Sequence, residues 1–208
     1  MLAIVDYGVG NLFSLKSSLD SIGVPCAVTS SPDEIKSADR IILPGVGAFG
    51  DAAEKLRESG LGEIIKEQAG KGIPLLGICL GMQLLFEKSY EYGEYEGLGL
   101  LKGEIVPMAG TLPAGLKIPH MGWNSLEFRN GKSEIYKYTN EGDYVYFVHS
   151  FYASGCEDSV SAVTDYGIKI TASAGKGNVF GTQFHPEKSG DTGLKILRAF
   201  CETEAGQC

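Results

Sequence analysis

Gly77-Ile78-Cys79-Leu80-Gly81 sets one sulfur at the junction of an apolar run and a helical pattern, with glycines two before and two after it. That is the layout of a nucleophile elbow, with Cys in the place of Ser. Unpaired amides at a helix start favour an anion there, and the thiolate is the form in which a cysteine attacks. The Leu80 amide would face the oxyanion that such an attack creates. Free cysteines are mostly small buried hydrophobes, and that reading suits Cys26, Cys156, Cys201 and Cys208. The flanking glycines set Cys79 apart.

A thiolate of this kind needs a base. Of the three histidines, His120, His149 and His185, the last stands in Gln183-Phe184-His185-Pro186-Glu187. If this segment is extended, residues two apart share a side, and Pro186 holds His185 extended. Glu187 then orients one ring nitrogen and leaves the other to move protons, in the manner of a triad. Gln83, four residues beyond Cys79, shares its helix face and brings an amide beside the thiol. Pro44-Gly45-Val46-Gly47 is a second glycine turn, whose Val46 and Gly47 amides could reach an oxyanion. By itself such a turn is ordinary. Ile118-Pro119-His120-Met121-Gly122-Trp123-Asn124 holds the sole tryptophan, a residue type that serves core and partner contact equally well. His149-Ser150-Phe151 ends an apolar run and offers a backbone edge.

These groups must be positioned by strands and helices. Residues 2–5, 24–28, 40–43 and 74–78 are short apolar runs, the third stopped by Pro44 and Gly45. Helical patterns separate them at 11–22, from Ser31-Pro32-Asp33-Glu34, at 51–58 and at 62–69, and one follows at 80–86. Ser31 suits an N-cap, Pro32 the first turn and Glu34 a capping box. Apolar strands alternating with helices predict a parallel sheet covered on both faces. The first ~90 residues therefore read as doubly wound, with ligands at the carboxyl edge. From residue 97 to 183 the pattern turns to glycine, aromatic and β-branched residues. Strands are expected at 123–128, 143–148, 160–164, 168–172 and 179–183, several of them in antiparallel pairs joined to the parallel core. A last helix is expected over 190–201. With no repeat and no linker, the 208 residues read as a single domain.

Composition narrows the function. Hydrophobic residues make up 43% and charged residues 21%, which is globular. A net charge of −8 without a basic cluster argues against nucleic acid and anionic membrane as partners. An odd number of widely spaced cysteines suggests neither a disulfide frame nor a zinc site, and fits a reducing cytoplasm. The chain opens without the layout of a signal peptide. No run nears the ~20 apolar residues of a membrane span. Gly8-Val9-Gly10 lacks the third glycine of a dinucleotide loop, and no Walker loop or metal cluster occurs. No cofactor is expected.

Gly77-Ile78-Cys79-Leu80-Gly81-Met82-Gln83 with His185-Pro186-Glu187 resembles the triad-type (class I) glutamine amidotransferases, whose fold is flavodoxin-like. Asp6-Tyr7-Gly8-Val9-Gly10-Asn11, Pro44-Gly45-Val46-Gly47, Pro119-His120-Met121-Gly122-Trp123-Asn124 and His185-Pro186-Glu187-Lys188-Ser189-Gly190 narrow the likeness to the glutaminase subunits of imidazole glycerol phosphate synthases. The resemblance implies that Cys79 attacks the glutamine side-chain amide, His185 transfers the proton and Glu187 orients it. It implies that Val46 belongs to an oxyanion strand, and that Gly47, Gln83 and Ser150 help hold glutamine. It further implies a heterodimer with a (β/α)8-barrel cyclase, to which ammonia is passed to make imidazole glycerol phosphate and aminoimidazole carboxamide ribotide in histidine biosynthesis. Asn11, Pro119, Met121 and Trp123 would lie near that junction. Relatives that supply ammonia for sugar amidation in surface polysaccharide pathways share the motifs and are the alternative. The glutaminase of pyridoxal phosphate synthesis suits the Trp123 block less well. A scaffold protein that kept the fold would be expected to have lost a triad residue. A cysteine peptidase of similar architecture would cleave peptides and ignore free glutamine.

Overall fold

The computed structural model describes residues 1–204, so Cys208 lies outside the described residues. The chain begins with β1 (Leu2–Val5), α1 (Leu12–Ser21), β2 (Cys26–Thr29), α2 (Pro32–Lys36) and β3 (Arg40–Gly45). Then come α3 (Phe49–Glu58), α4 (Leu61–Gly70), β4 (Leu75–Cys79) and α5 (Leu80–Leu84). Short strands follow: β5 (Lys88–Ser89), β6 (Tyr95–Glu96), β7 (Glu104–Pro107), β8 (His120–Ser125) and β9 (Glu127–Phe128). The chain closes with β10 (Tyr144–His149), β11 (Phe151–Ser154), β12 (Val160–Asp165), β13 (Lys169–Lys176), β14 (Val179–Thr182) and α6 (Gly190–Cys201).

The main sheet has the order β2-β1-β3-β4-β14-β13-β12-β9. Its first five strands run parallel and the rest pair antiparallel. β1, β3 and β4 are buried along almost their whole length, as strands covered on both faces must be. One apolar layer, with Leu15, Leu19, Ile196 and Phe200, lies on one face. Another, with Phe49, Leu56, Ile65 and Phe86, lies on the other. The order changes direction between β1 and β3, and a site belongs at the carboxyl ends beside that point.

The helix starts follow their sequence signals. Asn11 caps α1 by accepting from Ser14 N at 3.4 Å, and Ser31 accepts from Glu34 N at 3.5 Å. β3 runs on through Pro44 and Gly45, where a stop was expected; both pair with β4, at Ile78 and Cys79. β1 pairs only with Arg40–Ile42 of β3. Beyond Ile42 that flank is open, and a residue without an N–H is tolerated there.

The C-terminal half departs further. The strand expected over 123–128 is two strands in different sheets. β8 pairs with β10 in a separate antiparallel ribbon, and β9 joins the main sheet beside β12. Buried Leu126 marks the break between them. A further sheet of order β11-β7-β5-β6 was not anticipated. Two of its strands have two residues each, too few to carry a period.

Candidate active site

Cys79 ends β4 and precedes α5 with φ 55° and ψ −110°, a conformation non-glycine residues rarely adopt. The glycines permit it. A Cβ on Gly81 would lie 1.8 Å from the Leu43 carbonyl oxygen, and one on Gly77 would lie 2.6 Å from the carbonyl oxygen of Gly81. Strand, turn and helix therefore cross at backbone contact, and the sulfur is thrown out at the sheet's carboxyl edge. The helix is only five residues long, where the pattern predicted 80–86. Stabilisation of an anion thus falls to the local amides more than to an aligned dipole.

A cleft of about 340 Å³ opens there, lined by Val46, Gly47, Cys79, Leu80, Gln83, Pro119, Ser150 and His185 among others. The chain brings these together from the turn after β3, the end of β4, α5, the residue before β8, the β10–β11 junction and the segment after β14. Gly47 has φ +95°, which a side chain would strain. Asn11, with Pro44, Val46, His185 and Glu187, lines a narrow crevice beside the cleft. A larger cavity of about 550 Å³ lies between α3, α4 and β6, lined by groups such as Asp51, Glu54, Arg57 and Lys66. It has no thiol or imidazole in its wall and lies apart from Cys79.

His185 Nδ1 lies 2.8 Å from Glu187 Oε1, and both side chains are buried. Since a carboxylate only accepts, Nδ1 donates. Glu187 reaches that position from a 3-10 turn over Pro186–Lys188 with Pro186 at its start. The expected pair is present, but the turn makes it, and the extended geometry invoked for Glu187 is not found. Burial works against a charged His185. Hydrogen bonds to Cys79 and Glu187 outweigh it and raise the imidazole to about 9. The free ring nitrogen can therefore hand a proton to a leaving group beside the sulfur. Burial, and after it the charge of Cys79, raises the Tyr7 phenol; its hydroxyl donates to Pro44 O at 2.9 Å, behind the Val46 loop.

His149 and His120 are inner-face residues of the ribbon, 2.9 Å apart between Nε2 and Nδ1. Burial pushes His149 down to about 3, and its Nδ1 donates to the Phe151 carbonyl at 2.8 Å. Met121 and Trp123 are on the opposite face, 60% and 52% exposed. Tyr144, Tyr146 and Val148 of β10 alternate to the same outward side. Trp123 therefore resolves as surface.

Two residues were missed from sequence. Gln183 is fully buried and its Nε2 lies 3.8 Å from Cys79 Sγ. It sits two before His185, so the same two-residue spacing that singled out Glu187 could have found it. Glu91 lines the cleft half-buried and accepts from Phe49 N at the start of α3 at 2.6 Å; burial raises its carboxyl. It lies in a segment without periodicity.

Parallel strands in this order, a strained cysteine at the elbow and a His–Glu pair beside it define a class, and the chain belongs to it: the glutamine amidotransferase class-I family, whose pattern matches residues 3–203. Within that class it belongs with the imidazole glycerol phosphate synthase subunits HisH. It is 54% identical over 203 residues to that of Caldanaerobacter subterraneus subsp. tengcongensis, covering 97% of this chain and 98% of the relative. To the Bacillus subtilis subunit it is 50% identical, covering 100% and 98%. Among solved structures, PurLQS from Thermotoga maritima superposes with a TM-score of 0.75 at 24% identity, covering 96% of each chain, which speaks to the fold alone.

Proposed function

We propose that the chain is a single-domain glutaminase that hydrolyses glutamine to glutamate and ammonia, as the ammonia-supplying subunit of an imidazole glycerol phosphate synthase in histidine biosynthesis. Cys79 Sγ attacks the side-chain carboxamide carbon. The oxyanion forms against the amides of Leu80 and the Val46–Gly47 turn. His185 gives its proton to the departing nitrogen as the carbon–nitrogen bond breaks, and ammonia leaves behind a thioester. His185 then takes a proton from water, whose oxygen attacks the thioester and releases glutamate. Glu187 holds the ring through both steps. Gly47, Gln83 and Ser150 hold glutamine. The cleft also has an acid, Glu91, and a base, Lys188, as a zwitterionic amino acid requires.

Ammonia passes to a (β/α)8-barrel cyclase docked over Asn11, Pro119, Met121 and Trp123. The exposed apolar face of the β8–β10 ribbon supports this, since such faces mark contact sites. Half-identity along the whole length to HisH subunits favours this pathway over sugar amidation. Among the described residues no helix is long and apolar enough to cross a membrane.

The observation that carries the reading is the strained Cys79 sharing a cleft with His185. Cys79→Ala, assayed for ammonia release with the cyclase present, is expected to lose roughly 10⁴-fold or more. Unchanged release would end the reading.

A further inference from the structure

The Cys79 sulfur has two amide-type neighbours besides His185. The Val148 carbonyl lies 3.9 Å away and can only accept, which suits the protonated thiol. Gln183 Nε2, at 3.8 Å, can donate, which suits the thiolate. Which end of the Gln183 amide meets the sulfur is settled by its neighbours. The Phe151 carbonyl accepts from Gln83 Nε2 at 3.2 Å, so Gln83 presents its nitrogen inward. The second hydrogen of that nitrogen goes to Gln183 Oε1 at 3.0 Å. With its oxygen taken, Gln183 has only its N–H to turn to the sulfur. The Gln183 backbone N–H is tied to Ala172 O at 2.8 Å. Its side chain has no exposed surface through which to find water instead. Burying an amide is costly unless its hydrogen bonds are made, and here the sulfur gives the nitrogen a partner.

We propose that Gln183 is the amide donor that holds the Cys79 sulfur as an aimed thiolate, and that Gln83 positions it through the Phe151 carbonyl. Both amide hydrogens of Gln83 are spent in this relay, so what Gln83 offers glutamine is its carbonyl oxygen. The proposal deepens the glutaminase reading and rests on it.

The test is the rate of Cys79 alkylation by iodoacetamide against pH on the full chain, read on the Cys79 peptide by mass spectrometry. Gln183→Met keeps an unbranched side chain of similar length and removes the donor. The rising limb of the profile is expected to move up by about one pH unit, with roughly tenfold slower labelling at neutral pH. Gln83→Met, which leaves Gln183 in place but unoriented, is expected to move it the same way by less. Circular dichroism checks the fold of each variant, and Gln83→Met alone decides should Gln183→Met not fold. A profile matching the wild type in the folded variants overturns the proposal. Ammonia release by the wild-type chain with its cyclase is measured alongside. Its absence would refute the glutaminase reading, whereas activity with an unmoved profile refutes only the role of Gln183.

Discussion

At the scale of single residues, Glu187 and Cys79 divide the electrostatic work. The imidazole between them stays protonated up to about pH 9 because a hydrogen-bonded carboxylate and sulfur outweigh its burial. A raised folded-state value also means that His185 contributes stability below its ordinary value near 6.5, and that this contribution is lost as pH rises through about 9. Replacing Glu187 with Gln keeps the shape but removes the negative charge that helps hold the ring protonated. Turnover is expected to fall roughly 10³- to 10⁴-fold with the KM for glutamine little changed. Steady-state kinetics with and without the cyclase checks this. Cys79 and His185 were legible in the sequence because each sits in a local pattern, the glycine-flanked turn and the Pro-locked segment. Gln183 carries the same two-residue spacing from His185, but its partner Gln83 is distant in sequence, so only the fold shows what its amide holds.

At the scale of elements, the elbow is a crossing of backbones. Gly81 packs so closely under Leu43 that a methyl has no space. Gly81→Ala is expected to cost about 2–4 kcal/mol, since the displaced atoms are main chain and cannot swing aside. Urea unfolding measures it, with Gly70→Ala as the comparison: Gly70 is likewise a helical glycine without a positive φ, but a Cβ there meets nothing within 4 Å. The parallel half of the sheet was readable because its strands are apolar on both faces and alternate with capped helices. The small sheets were not. β5 and β6 are too short for a period, and β11 follows β10 after one residue, so a change of sheet at Ser150 leaves no trace in composition.

At the scale of the whole molecule, the proposed docking face is the outer side of the ribbon. Trp123 stands edge-on to Tyr146 at 6.0 Å, with Met121 beside it on the same strand. Trp123→Ala is expected to weaken association with the cyclase by about 2 kcal/mol or more, the magnitude of a central aromatic contact. Titration calorimetry reads it directly, and an unchanged Kd would move the docking face elsewhere.

Val148 belongs to both sides of this arrangement. Its side chain turns outward with Trp123 and Met121, while its carbonyl stands 3.9 Å from the Cys79 sulfur. A cyclase docked on the proposed face would thus stand one peptide unit from the Cys79 sulfur. A load on the outer surface that rocked this single unit would alter the sulfur's surroundings directly, without a relay of side chains. Coupling between the proposed docking face and the cleft would then be local, and its strength would track the stiffness of the strand at this one position.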